Sequence, residues 1–289
     1  MPVLLFIFVS KTALFMINPL VSPDHPAAIL EGVFPEYTRE GIAVDYANLI
    51  HCQQGEALLT VNFEPVPEKA GTVVFLFPGD VVKVERVSDD FRLEYLVCSE
   101  DILKVAAANL EPLVFDILRQ HNHYDNAYAT EVASQTIRYA RSLNLRDGGP
   151  YARDTAALLL RSVFLCYNNY LSKNDIHYPG PGSRADILFS RFMYYLGRHY
   201  RESRDVAFYA ARLNMTSKNL TNIVSAKTGQ SAKQTIDTYV IMQIRSVLRG
   251  SDRPVKEIAW DFNFSSTAFF CDYFRRHTGQ TPMQFRKGA

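Results

Sequence analysis

The chain has 289 residues, a formal net charge of +1, 47% hydrophobic and 21% charged residues, which is ordinary for a soluble globular protein and long enough for two domains with separate cores. Its four cysteines, Cys52, Cys98, Cys166 and Cys271, stand far apart with none at metal or redox spacing, which excludes a disulfide-built scaffold and leads us to expect reduced thiols and a cytoplasmic protein. Met1–Ile17 is apolar over Val3–Val9 and Ala13–Ile17, but Lys11 interrupts it. The run falls short of the ~20 residues of a spanning helix, and no basic region precedes it as a secretory signal requires. A buried strand, or an extension ahead of a start at Met16, is expected, with no targeting signal and no membrane partner.

From Val44 to Cys98 the pattern is β. Val44–Ile50, Leu58–Phe63, Thr72–Phe77, Val81–Val87 and Phe91–Cys98 are short β-branched or aromatic runs, parted by Gln54-Gly55, Pro65–Gly71, Pro78-Gly79-Asp80 and Ser88-Asp89-Asp90. Short strands at this spacing predict a small barrel or sandwich. A metal-dependent barrel enzyme needs three or four clustered ligands, yet His51 is the only histidine between Val44 and Cys98, and His121 and His123 fall on or after a predicted helix. No Ser-His-Asp, Cys-His or glycine-rich phosphate pattern stands out, so no catalytic residue, metal or cofactor is expected. A small-molecule pocket lined by Tyr46, His51, Phe63, Phe77 and Tyr95 remains open beside the reading of these five as plain core.

The period then turns helical over Asp101–Gln120, Ala127–Leu145 and Tyr151–Asn169, the last two separated by Gly148-Gly149-Pro150. Leu159, Val163, Cys166 and Tyr170 follow a 4-3-4 spacing, a narrow seam that suits packing on the barrel or a contact with a second copy. Tyr178-Pro-Gly-Pro-Gly-Ser183 has the composition of a linker. The predicted organisation is a β-rich domain with helices over 1–177, a linker over 178–183, and a helical module over 184–289.

That module repeats itself. Val206, Ala210 and Leu213 form an apolar face ahead of Asn214, and Val255, Ala259 and Phe262 do so ahead of Asn263; each copy then runs into a helix ending in Thr-Gly-Gln, at Thr228–Gln230 and Thr278–Gln280. Asparagine tolerates the left-handed conformation a tight reversal needs, so each copy reads as helix, turn, helix. Ser231-Ala-Lys-Gln234 fits a capping box, Thr281-Pro-Met-Gln284 another with proline at the first helical position, and Gly250 a stop. One helix is therefore expected between the units. Ser231 to Arg249 would span ~28 Å, close to the ~34 Å of one B-DNA turn. Residues 184–289 carry 17 Lys and Arg against 8 Asp and Glu, an excess of nine, whereas residues 1–183 carry 14 against 22. Positive charge concentrated in this way supplies the salt-dependent part of DNA affinity.

Ile258-Ala259 with Asn263-Phe264, then Phe270, Phe274-Arg275-Arg276, Thr278-Gly279, Thr281-Pro282 and Phe285-Arg286 resemble the signature of the AraC/XylS family of bacterial transcription regulators, with the match strong over Ser203–Lys287. The departures are Asn263 where the family usually has glycine, Asp272 where it has arginine or another polar residue, and Val240 and Ile244 where its linker helix shows Arg and Ala. The resemblance implies an α+β protein: a cupin-like N-terminal barrel with helices, of which Gly55 and Pro78-Gly79-Asp80 look like a reduced form, and a C-terminal all-α module. It further implies double-stranded DNA as partner, with a small-molecule effector, a second copy of the chain through the Leu159–Tyr170 seam, and RNA polymerase as further partners.

In a helix-turn-helix unit the second helix enters the major groove. With Thr216 as cap and Leu220, Ile223 and Val224 inward, the first unit offers Ser217, Lys218, Asn219, Thr221 and Asn222; Asn222 suits adenine, and Lys218 a guanine or phosphate. With Ser265 or Ser266 as cap and Phe269, Phe270, Tyr273 and Phe274 mostly inward, the second offers Thr267, Ala268, Cys271 and Asp272. The Asp272 carboxylate would repel phosphate. Arg275, Arg276 and Arg286 would serve the backbone. The expected function is sequence-specific DNA-binding regulation, read mainly by the first unit; the alternative is a β-barrel small-molecule binding protein or enzyme with a non-specific DNA anchor.

Overall fold

A computed structural model describes residues 27–32, 41–108, 110, 118–119, 121–143, 150–173 and 184–287. The Met1–Ile17 run and the Tyr178–Ser183 linker lie outside the described residues. The strands are β1 (Ala27–Gly32), β2 (Ile42–Ala43), β3 (Ala47–Gln54), β4 (Glu56–Val61), β5 (Glu64–Lys69), β6 (Val73–Leu76), β7 (Val81–Val87), β8 (Arg92–Cys98) and β9 (His123–Tyr124). They form two antiparallel sheets, ordered β1-β8-β3-β6-β9 and β2-β7-β4-β5. The mixed α+β class holds, but the closed-barrel expectation is corrected: among the described residues every ladder lies within one sheet or the other, and the sheets do not close. Pro65 and Pro67 lie inside β5 and have no N–H to donate, which confines that strand to an edge. The same two prolines make the segment read as a turn from sequence.

The first sheet is buried on both faces, which explains the unbroken apolar runs. Leu49, Val73 and Phe75 join the core beneath the helices, while Ile50, Val74 and Leu76, one residue along, join the core between the sheets. Among the described residues, three helices cover that outer face: α1 (Glu100–Ala107), capped by Ser99, α2 (Ala127–Ser142), capped by Asn126, and α3 (Ala152–Lys173). The inward stripe of α2 is Ala129, Ala133, Ile137 and Ala140, all fully buried, small enough to let the helix lie close. Tyr167 of α3 donates its hydroxyl to the Ala129 carbonyl at 2.8 Å and sets its ring edge-on to Phe75. Val163 is buried in this core, with Leu159, Cys166 and Tyr170 packed against it, so the 4-3-4 seam is internal packing. The exposed apolar side chains of α3 are Leu158 and Leu165.

His123, expected outside the sheet region, sits in β9 against β6 with its Nε2 3.5 Å from Glu68 Oε1. Burial pushes the Glu68 carboxyl up to about 8, opposed by the Thr72 hydroxyl that donates to it, and burial likewise lowers His123. An acid whose folded pKa is raised favours folding most while protonated, and that contribution is lost as pH rises through about 8. Wild type should therefore lose stability relative to Glu68→Gln between about pH 7 and 9, where free histidine is already neutral. Urea denaturation across that range checks this, and parallel curves for the two proteins contradict it.

The remaining helices are α4 (Arg184–His199), α5 (Val206–Arg212), α6 (Ser217–Thr228), α7 (Ala232–Gly250), α8 (Val255–Asp261), α9 (Thr267–Thr278) and α10 (Pro282–Lys287). They pack around α7, whose Ile236, Tyr239, Val240, Ile244 and Leu248 are buried. The sheets dock directly onto this core. Val81 belongs to it, and Ala43 and Phe63 pack against it. The Gly79 turn meets Gly197 of α4 so closely that a Cβ on Gly197 would lie 2.4 Å from the Gly79 Cα.

Candidate nucleic-acid interface

Both repeats fold as read. Asn214 and Asn263 take the left-handed conformation at φ 54° and 52°; Thr216 and Ser266 cap α6 and α9 by accepting the amides of Asn219 and Phe269, and Gly229 and Gly279 end them with positive φ. The capping box at Ser231 and Gln234 starts α7, and Thr281 and Gln284 bond reciprocally at the start of α10. Each first helix buries its predicted alanine, Ala210 or Ala259.

The units are held to one another by polar contacts that the sequence does not announce. The Arg204 guanidinium, ahead of α5, donates to the carbonyls of Phe262 at 2.7 Å and Asn263 at 3.1 Å and lies over the Phe264 ring, while the Asn263 amide donates to Glu202 O. Asp237 of α7 accepts from Lys233 at 2.6 Å and from the Tyr273 hydroxyl of α9 at 2.8 Å. Arg286 differs from expectation: it donates to the carbonyls of Leu248 and Arg253, fastening the end of α7 in place of reaching for phosphate.

On α6, Lys218, Asn219 and Asn222 are exposed, Ser217 and Thr221 half-buried, and Leu220 and Val224 buried. On α9, Ala268, Arg275 and Arg276 are exposed, with Thr267, Cys271 and Asp272 half-buried. Phe269 is corrected from core to surface at 48% exposed. It was legible: the fifty-residue offset of the two helices maps Phe269 onto Asn219, an outward position. Asp272 is not a bare negative charge either. Arg276 at 2.6 Å and Arg275 at 3.2 Å share its carboxylate and hold it below the usual range. The second unit thus presents an aromatic ring and a paired charge cluster where the first presents amides and a lysine.

A family model described as a helix-turn-helix domain matches residues 209–288. Over nearly the whole chain, the HTH-type transcriptional activator RhaS of Escherichia fergusonii is 22% identical across 262 residues, covering 89% of each protein. Both findings support the resemblance to the AraC/XylS family carried by the C-terminal residues. A second relative, the HTH-type transcriptional activator RhaR of Yersinia pestis, is 20% identical over 269 residues, 93% of this chain and 91% of its own. The crystal structure of ToxT from Vibrio cholerae overlays 90% of this chain and 96% of its own at 12% identity and a TM-score of 0.46, too loosely to carry any residue across. With a helix-turn-helix domain and activators of matching length as relatives, the chain is a DNA-binding transcription regulator. Its apolar departures Val240 and Ile244 are fully buried against the surrounding helices.

The expected effector residues do not converge. Tyr95 lies between the sheets, Phe77 under the helices, Phe63 at the β4–β5 hairpin tip against the DNA-binding core, and Tyr46 at the margin of the inter-sheet core. His51 Nδ1 is engaged by Glu94 at 2.8 Å. Only Phe77 of the five lines the cavity of about 670 Å³ that opens between the sheets and α4. Among the described residues no group of three or more His, Cys, Asp or Glu is placed to hold a metal, and no helix is long and apolar enough to cross a membrane.

Proposed function

We propose that α6 and α9 enter successive major grooves on one face of the duplex, and that the base sequence is read chiefly by α6. The observation that carries this is the contrast between the two surfaces. Asn222, Asn219 and Lys218 stand exposed on α6 and have the donors and acceptors that distinguish base edges. On α9, Ala268 and Phe269 offer apolar contact to a thymine methyl, and Arg275 and Arg276 offer charge to phosphates. The excess of nine positive charges over residues 184–289 supplies the non-specific component, which falls steeply with salt. Selecting bound sequences from random DNA with the full chain tests the reading. The recovered motif should hold one strongly constrained half and one weakly constrained half about one helical turn apart, and equal information in both halves would refute it.

The regulator acts in the cytoplasm as a homodimer that answers a small-molecule effector and engages RNA polymerase. The two relatives' names, transcriptional activators RhaS and RhaR, support transcriptional control of this kind. For the dimer, the support is the outward face of α3, where Leu158 is 66% and Leu165 43% exposed two turns apart. Replacing both with Glu should convert a dimer into a monomer in sedimentation without lowering thermal stability. A monomeric wild type, or an unchanged dimer, removes this assignment. Charging Val163 would instead unfold the domain, because it is buried.

A further inference from the structure

The cavity at the seam is built differently from the strand cores. Its volume of about 670 Å³ falls inside the ~300–1,000 Å³ typical of small-molecule sites. One wall is the Phe77–Gly79 turn with α1, and the other is α4 with Tyr239 of α7. Its charged lining is mostly positive: Lys104, Arg119, Arg191 and Arg198 against Asp45 and Glu100. Aromatic faces accompany the cations, with Arg119 over Phe77 at 4.7 Å and over Tyr194 at 5.3 Å, and Arg198 over Tyr194 at 5.6 Å.

Glu100 is the informative member. It is the first residue of α1, yet its carboxylate reaches across the seam to Arg198 of α4 and is also 3.4 Å from Lys104. Arg119 is served from behind by buried Asp80 at 3.1 Å, which keeps it fixed at the wall. One carboxylate of the protein's own therefore occupies the place where two lining cations converge, on side chains that are 39–55% exposed. Exposed pairs of this kind contribute little and exchange readily. A ligand acid held by the same cations, with its apolar body against Tyr194, Tyr195 and Phe77, would be stronger by the charge-assisted bonds and the rings together.

We propose that this cavity binds an aromatic organic anion whose acid group displaces the Glu100 carboxylate from Arg198 and Lys104. Such a ligand touches α1 on one side of the seam and α4 on the other, so its occupancy bears on how the sheets sit against the DNA-binding helices. As a sensing site it rests on the regulator reading above; as a binding site it stands alone, and its test needs no DNA.

The full chain is titrated by fluorescence with anilinonaphthalene sulfonate and with phenylnaphthylamine, the same ring system without the acid. The sulfonate should saturate a single site and bind at least about ten-fold more tightly than the neutral amine. Glu100→Gln, an exposed isostere, should tighten the sulfonate about three- to ten-fold by removing the internal competitor, and Arg198→Ala should loosen it about ten-fold. Ser190→Trp, which fills the cavity from α4, should abolish binding while circular dichroism stays native. The proposal is overturned by equal affinity for the two dyes, by sulfonate binding that Glu100→Gln weakens or leaves unchanged, or by absence of saturable binding. If Ser190→Trp fails to fold, the Glu100→Gln and dye-pair arms still decide. Loss of all DNA binding with intact sulfonate binding would sink the regulator reading and leave the site.

Discussion

Gly197→Val should part the DNA-binding helices from the sheets. Glycine inside a helix costs roughly 0.5–1 kcal/mol relative to alanine, and α4 carries one where its backbone meets another backbone. A Cβ there would stand 2.4 Å from the Gly79 Cα and 3.3 Å from the Tyr239 hydroxyl. The opposing turn has little freedom to retreat. Gly79 is at φ +93°, its N–H donates to the Val44 carbonyl at 2.8 Å, and the next residue, Asp80, accepts from the Phe77 amide, Asn62 and Arg119. Burial raises the Asp80 carboxyl and Arg119 lowers it in return; a buried group so engaged does not move without losing its partners. Helix α4 must therefore shift, breaking the Arg198–Glu100 pair and lifting Phe63 and Val81 from the helical core. Overpacking against a flexible side chain costs about 1–3 kcal/mol, and against backbone it should cost at least the upper end. Hydrogen exchange should show lost protection in α4 and in residues 77–82 with α6 and α9 intact. Native protection at those positions would mean the seam tolerates a side chain and is softer than its geometry states.

What could be read from the sequence was what local chemistry decides. Asparagine at the reversals, hydroxyl caps, glycine ends and the reciprocal Ser231–Gln234 box each satisfy backbone groups within a few residues, so the repeat exposed them all. What could not be read depends on distant partners. Leu49 and Ile50 are equally apolar, and only strand register sends one beneath the helices and the other between the sheets; in the same way Phe77 falls beneath the helices and Tyr95 between the sheets. Val163 had helical spacing with either neighbour, and the sheet took it. Arg286 and Asp272 announced charge but not partner, and the partners turned one into a clasp and the other into half of a cluster. Phe63 is the case sequence rules resist most. The Asn62-Phe63 turn has both residues at positive φ, 48° and 72°, a conformation that usually recruits glycine second and is strained for a bulky aromatic. The ring packs against the core of the DNA-binding helices, and Glu64 beside it pairs with Lys227 at the end of α6 at 3.4 Å. Docking, which no local pattern encodes, offsets the local cost.

The two recognition helices should respond to substitution in opposite ways. Asn222→Ala on α6 should cost about 1–3 kcal/mol on the selected site and relax preference at one base position, because a lost bidentate contact removes discrimination along with energy. On α9, Arg275→Ala should weaken every sequence alike and make the salt slope shallower by about one unit. Asp272 separates the surfaces most sharply. Its carboxylate now binds Arg276 and Arg275, so Asp272→Ala releases two guanidinium groups and removes one negative charge at the same face. Binding should tighten on all DNA, specific or not, with a steeper salt slope and an extended footprint over the second half of the site. Asp272→Arg should do the same more strongly. Exposed pairs contribute little to folding, so neither variant should shift thermal stability much, and an affinity change can be read as a change at the interface. If Asn222→Ala is silent and both Asp272 variants leave affinity and footprint as they were, then α6 and α9 do not present these faces to DNA, and the groove assignment fails for both units at once.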